Sequence, residues 1–306
     1  MSRIHEALKK AEQEKAAQML AGARTTAPQL VNDTEVPIFS SQRIPEETNR
    51  PAANVRAAHV TDGAILQFDE LVRRCAHPEW KSDSALRVSL AGDSGKVVGE
   101  RFRTLRSRLY QIAGTRTLRR VLITSSLPAE GKTFVATNLV RSIIRQADRR
   151  VLLIDADLRA PRLHVALGAP SSPGLSDYLR GAADEYTVVQ NSVANNLCFI
   201  PCGSKVSNPS ELLLSERMKI LLECVTPAFD WVILDSPPAL PVHDASSLAD
   251  LCDGVLFVVR AGETDYEAAK KGSLEFREKN LLGVVLNQVE NSETQGSYYY
   301  GHSEKK

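Results

Sequence analysis

Short apolar runs recur along the last two-thirds of the chain, at 120–124, 151–154, 197–200, 231–234, 255–259 and 282–286. Within them consecutive positions are apolar, as in Val151-Leu-Leu-Ile154 and Trp231-Val-Ile-Leu234. A strand with one wet face alternates between apolar and polar residues, whereas a strand covered on both faces does not. Helical periodicity fills stretches between these runs. One helix is predicted over 97–112, with Phe102, Leu105 and Leu109 on its core side, and another over 131–146. Buried strands alternating with helices predict an α/β fold, a doubly wound and mostly parallel sheet.

The N-terminal third is different. Ile4, Ala7, Leu8 and Ala11 recur at helical spacing behind Ser2, which predicts a helix over 1–20. Its polar face mixes Arg3, Lys9, Lys10 and Lys15 with Glu6, Glu12 and Glu14, too balanced for a membrane-surface helix. It reads as a solvated helix or one that docks on a partner. Residues 21–84 read as a mostly flexible linker, carrying Pro28, Pro37, Pro45 and Pro51 among polar residues. The folded domain is expected over 85–290, followed by a flexible tail over 291–306.

Composition narrows the classes. Of 306 residues, 43% are hydrophobic, enough for a sizeable core, and the formal net charge of +1 argues against a dedicated nucleic-acid coat. No apolar run approaches the ~20 residues of a spanning helix, and no apolar leader follows the charged start, so a cytoplasmic protein is expected. The five cysteines show no metal-binding spacing and are expected as buried free thiols.

Candidate chemistry begins at Ser126-Leu-Pro-Ala-Glu-Gly-Lys-Thr133, which follows a strand and opens a helix. That is the context of a phosphate-binding loop, although Ser126 stands where the general pattern has its first Gly. Backbone N–H groups would hold phosphate oxygens, Lys132 would neutralise the β and γ oxygens, and the Thr133 hydroxyl would ligate Mg²⁺. Asp155 and Asp157 follow the second strand and Asp235 ends a later one. Parallel strands share one C-terminal edge, so these five residues are expected to converge there. Three carboxylates beside a triphosphate repel one another unless a cation such as Mg²⁺ lies among them.

These residues resemble the bacterial tyrosine autokinases of capsule and exopolysaccharide gene clusters. The resemblance covers about residues 85–300 and rests on a Pro-containing Walker A loop, the Asp155-Ala-Asp157-Leu-Arg159 box and Leu234-Asp-Ser-Pro-Pro238. Gly174-Leu-Ser-Asp-Tyr-Leu179, Asn208-Pro-Ser-Glu-Leu212, Asp244-Ala245 and Asp253-Gly254 are similar too, and the opening ten residues resemble the exosortase-linked subgroup. Ala129 departs from the family's usual Gly, and its methyl would tighten the loop if φ there is positive. Related partitioning-type ATPases carry a second lysine five positions before Lys132, where this chain has Leu127. That difference favours the kinase over a partitioning ATPase or a regulatory ATP-binding switch.

The resemblance implies ATP and Mg²⁺ as cofactors. It implies Lys132, Asp155 and Asp157 as catalytic, with Asp155 accepting the tyrosine proton. Thr133, Asp157 and Asp235 would hold Mg²⁺. Ser126, Pro128, Ala129, Glu130, Gly131, Lys132, Thr133, Phe134 and Asn287 would bind ATP. Glu100-x-x-Arg103-x-x-Arg106 matches the family's oligomerisation motif, implying a homo-oligomer such as a ring; a nucleic-acid patch there lacks interleaved aromatics. Tyr298, Tyr299 and Tyr300 look like a short autophosphorylation cluster. The implied partner is a separate membrane polysaccharide co-polymerase, which would recruit the kinase to the inner face of the membrane.

Overall fold

The computed structural model describes residues 65–80, 93–191 and 196–289. The expected N-terminal helix, most of the linker and the tyrosine tail lie outside the described residues. A seven-stranded sheet runs through the domain in the order β3-β4-β2-β5-β1-β6-β7. Its strands are β1 (Arg120–Ser125), β2 (Val151–Asp155), β3 (Gln190–Asn191), β4 (Leu197–Ile200), β5 (Trp231–Asp235), β6 (Gly254–Arg260) and β7 (Leu281–Asn287). All neighbours are parallel except β3 and β4, so the expected doubly wound α/β architecture is observed.

The unbroken apolar runs are explained by two cores, one on each face. Leu122, Leu152, Ile154, Val232, Leu234, Val255 and Phe257 enter one. Their immediate neighbours Val121, Ile123, Val151, Leu153, Ile233, Leu256 and Val258 enter the other. Side chains point alternately up and down a strand, so a strand feeding two cores needs apolar residues at every position.

Helices α2 (Asp93–Ala113) and α3 (Lys132–Ile144) cover the second face. Leu109 is buried there, with Phe102 and Leu105 packed against the same core, as the spacing predicted. The first described helix, α1 (Phe68–Arg74), corrects the linker boundary. Residues 65–80 are packed on the domain: Leu71 is fully buried, the Leu66 N–H donates to Cys224 O at 3.1 Å, and Phe68 meets Phe229 edge-on. Phe68, Leu71, Val72 and Cys75 fall at i, i+3, i+4 and i+7, a signal hidden in a segment of linker-like composition. All five cysteines are free and buried. Among the described residues no helix is long and apolar enough to cross a membrane.

Candidate active site

The strand order reverses around β1: the chain crosses to one side of it for β2 and returns to the other side for β6. The crevice above such a point is where open α/β sheets bind ligands. There β1 ends, and the chain turns through 126–131 into α3, whose first residue is Lys132. Two residues of this turn have positive φ, Ala129 at 65° and Gly131 at 96°. A left-handed conformation costs an L-residue about 1–2 kcal/mol, which gives the Ala129 substitution its physical meaning. Gly131 has a second constraint, since a Cβ there would lie 1.9 Å from Asn287 Nδ2.

Three contacts brace the loop. The Asn287 amide at the end of β7 donates to Glu130 O at 3.0 Å. The buried Glu130 carboxylate accepts the Leu127 N–H at 2.6 Å and the Thr264 hydroxyl. Glu130 and Asn287, both expected at ATP, hold the loop's shape in the structure, and Thr264 joins them from beyond β6 without any sequence signal. Ser126 is fully buried at the start of the turn. Phe134 packs edge-on against Phe102, tying the loop's helix to α2.

The carboxylates meet as expected. Asp155 and Asp235 end β2 and β5 and are register partners on adjacent strands. The Thr133 hydroxyl donates to Asp235 Oδ2 at 2.6 Å, while Asp235 Oδ1 is buried without a hydrogen-bond partner. Burial pushes Asp235 up to about 7, against the pull of Thr133 and Lys132 and with a further push from Asp157. Asp155 is held well above the usual carboxylate range, first by burial and then by the charge of Asp235. Its Oδ2 accepts the Leu163 N–H at 3.1 Å, and its Oδ1 has no partner. Asp157 closes a turn, its Oδ1 accepting the Ala160 N–H at 3.0 Å. A cavity of about 680 Å³ opens over this group, lined by Pro128, Ala129, Lys132, Thr133 and Asp157 among others. A hydroxyl and two carboxylates with an orphaned oxygen form an all-oxygen donor set, which fits Mg²⁺.

Other singled-out residues are used structurally. Arg159 turns aside to bind Asp244 Oδ2 at 2.8 Å and Ser210 Oγ at 2.7 Å, and Ser210 closes the triangle on Asp244 at 2.6 Å. Asp177 accepts the N–H groups of Gly174 and Ser204, joining two loops. Asp253 accepts the N–H groups of Arg119 and Arg120 at 2.8 Å each, at the base of β1. On α2, Glu100 and Arg103 form an exposed ion pair, but Arg106 reaches away to Ser142 O near the end of α3.

Comparison with known proteins places this geometry. Residues 129–271 match the family described as AAA domain. The tyrosine-protein kinase YwqD of Bacillus subtilis is 37% identical over 204 residues, 66% of this chain and 86% of that protein. The tyrosine-protein kinase Ptk of Acinetobacter johnsonii is 32% identical over 214 residues, and there the match spans 29% of the relative's length. The kinase domain of the Escherichia coli tyrosine kinase ETK superposes with a TM-score of 0.63 at 29% identity, covering 80% of this chain and 95% of that domain.

Proposed function

This chain belongs to the tyrosine-protein kinase family, and on that premise we propose that it is an ATP- and Mg²⁺-dependent autokinase whose substrate is its own cluster Tyr298, Tyr299 and Tyr300. The observation that supports this reading is the juxtaposition of Thr133 and the nearly buried Lys132 with Asp235, Asp155 and Asp157 at one sheet edge. Lys132 faces the β and γ phosphate oxygens, and the loop's N–H groups orient them. Thr133, Asp157 and Asp235 would hold Mg²⁺, which when bound neutralises phosphate charge. Asp155 accepts the tyrosine proton; a phenol with pKa near 10 needs a base, and a carboxylate held well above the usual range by burial is a better one than an ordinary Asp.

The tail has the reach this requires. Asn287 ends β7 bonded to the phosphate loop, so the chain leaves β7 beside the site. About ten residues then separate it from Tyr298, roughly 35 Å when extended, enough for the chain's own site or a neighbour's. We assign the neighbour's: a homo-oligomer docked through the Glu100, Arg103 and Arg106 region of α2 passes each tail across the boundary. The new phosphates, about −1.5 to −2 charges each, then favour separation. A separate membrane polysaccharide co-polymerase is the partner this reading implies, with the kinase on the cytoplasmic side and exopolysaccharide or capsule polymerisation and export as the regulated process.

The test is mass spectrometry for phosphotyrosine after incubation with Mg·ATP. Lys132→Ala should abolish it, and Phe at 298–300 should remove most of it while ATP binding persists. Label undiminished in folded Lys132→Ala, or moved to Tyr266, which is 55% exposed, would overturn the loop or the tail assignment respectively. ATP hydrolysis with no phosphotyrosine would instead identify a partitioning-type ATPase.

A further inference from the structure

At the carboxylate that ends β2 lies a group of metal-binding side chains, two of which, His164 and Cys202, phosphoryl transfer leaves unused. One ligand atom from each of Asp155, His164 and Cys202 lies within 4.8 Å of the other two. Separate elements deliver them: Asp155 ends β2, His164 sits on the short helix α4 (Leu163–Leu167), and Cys202 follows β4. Asp155 is 0% and Cys202 5% exposed. Asp155 Oδ1 and His164 Nδ1 are both buried with no hydrogen-bond partner. The Cys202 thiol donates to Gly203 O at 3.4 Å and lies 4.0 Å from Ser171 O. Buried polar atoms are nearly always paired, so two orphaned atoms on residues that meet beside a thiol point to a ligand.

The chemistry of the donors selects that ligand. Carboxylate, imidazole and thiol form a mixed O/N/S set, which suits Zn²⁺ with three protein ligands and an open fourth position. It does not suit Mg²⁺, whose all-oxygen set lies on Thr133, Asp157 and Asp235. Zinc–ligand bonds of about 2.0–2.3 Å in a tetrahedron put ligand atoms roughly 3.3–3.8 Å apart, so the triad need contract by no more than about 1.5 Å. His164 is already suited to bind: burial, then Arg162, lowers its pKa and favours the neutral imidazole. The Cys202 thiol would release its proton to solvent on binding. A cavity of about 390 Å³ bordered by His164, Ser171, Cys202 and Ser204 provides a path in.

We propose that Asp155, His164 and Cys202 form a site for a thiophilic divalent cation of the Zn²⁺ class, and that occupying it withdraws Asp155 from phosphoryl transfer. The second half rests on the role proposed above for Asp155; the first does not. A metal on this triad takes the carboxylate needed by the tyrosine hydroxyl, so transfer stops while the phosphate loop remains intact.

The test uses the full chain, stripped with chelator and titrated first with Co²⁺ and then with Zn²⁺. Co²⁺ should bind at one equivalent with a thiolate-to-cobalt charge-transfer band in the near ultraviolet, and Zn²⁺ should displace it. Cys202→Ala should remove that band, and His164→Ala should weaken Zn²⁺ binding by about 100-fold or more, beyond the loss expected for a merely supporting partner. In excess Mg·ATP, Zn²⁺ should suppress phosphotyrosine in the parent, and Cys202→Ala should need about 100-fold more Zn²⁺ for the same loss. Identical Co²⁺ spectra for parent and Cys202→Ala, or unchanged Zn²⁺ affinity in both variants, would overturn the site. Zn²⁺ bound at the triad with undiminished phosphotyrosine would overturn the withdrawal of Asp155. A parent that forms no phosphotyrosine even without Zn²⁺ would defeat the kinase reading, with the site still decided by the spectra.

Discussion

Asp235→Asn should stabilise the ligand-free protein while abolishing transfer. Ionised Asp235 is 1% exposed, and only Thr133 and Lys132 offset its loss of water. Its carboxyl is raised from the ordinary 3.8 to about 7. At 1.36 kcal/mol per pH unit, that gap means its ionisation costs the fold about 4 kcal/mol at pH 8. The sign follows from proton binding. Between about pH 4 and 7 the folded state holds a proton that the unfolded state has lost, so stability falls as pH rises through that window and is level above it. Asparagine removes the ionisation but places an amide donor where Oδ1 lacks a partner, at a cost of about 1–3 kcal/mol. The net gain at pH 8 is then about 1–3 kcal/mol, or roughly 2–12 °C in Tm for a domain of this size. Calorimetry in chelator from pH 4.5 to 8 should show the variant ahead at pH 8 and level with or behind the parent at the acid end. A variant no more stable than the parent at pH 8, or a gap that does not shrink on acidification, would refute the reasoning.

Three further outcomes follow from the same contacts. Ala129→Gly relieves a left-handed alanine at φ 65° and should leave stability equal or higher by up to about 1 kcal/mol, checked by urea unfolding. Gly131→Ala drives a methyl against Asn287 Nδ2, so ATP affinity measured by calorimetric titration should fall at least about tenfold, the effect of 1.4 kcal/mol. Arg106→Ala loses a charge-assisted bond to the end of α3 and should cost about 1–3 kcal/mol, whereas the exposed pair Glu100→Ala/Arg103→Ala should cost under about 1 kcal/mol. The double variant is therefore the cleaner probe of oligomer size by light scattering.

The parallel sheet and the meeting of Lys132, Thr133, Asp155, Asp157 and Asp235 were legible from residue order alone, for a common reason. A strand that feeds two cores writes an unbroken apolar run into the chain, and parallel strands deliver whatever follows those runs to one edge. Partnerships between distant side chains leave no such period. Nothing near Glu130 announces Thr264, 134 positions away, as the hydroxyl on its carboxylate. The spacing of Glu100, Arg103 and Arg106 suggested one charged face, but the carbonyl of Ser142 on a packed helix claimed the last of them. The helix at 68–74 wrote a correct period into its residues, yet a segment so short folds only because Leu71 and Phe68 find the domain's core. Likewise the orphaned atoms of Asp155 and His164, and the nearness of those residues to Cys202, arise only when β2, α4 and the segment after β4 pack together, because burial and the absence of a partner are properties of the packed chain.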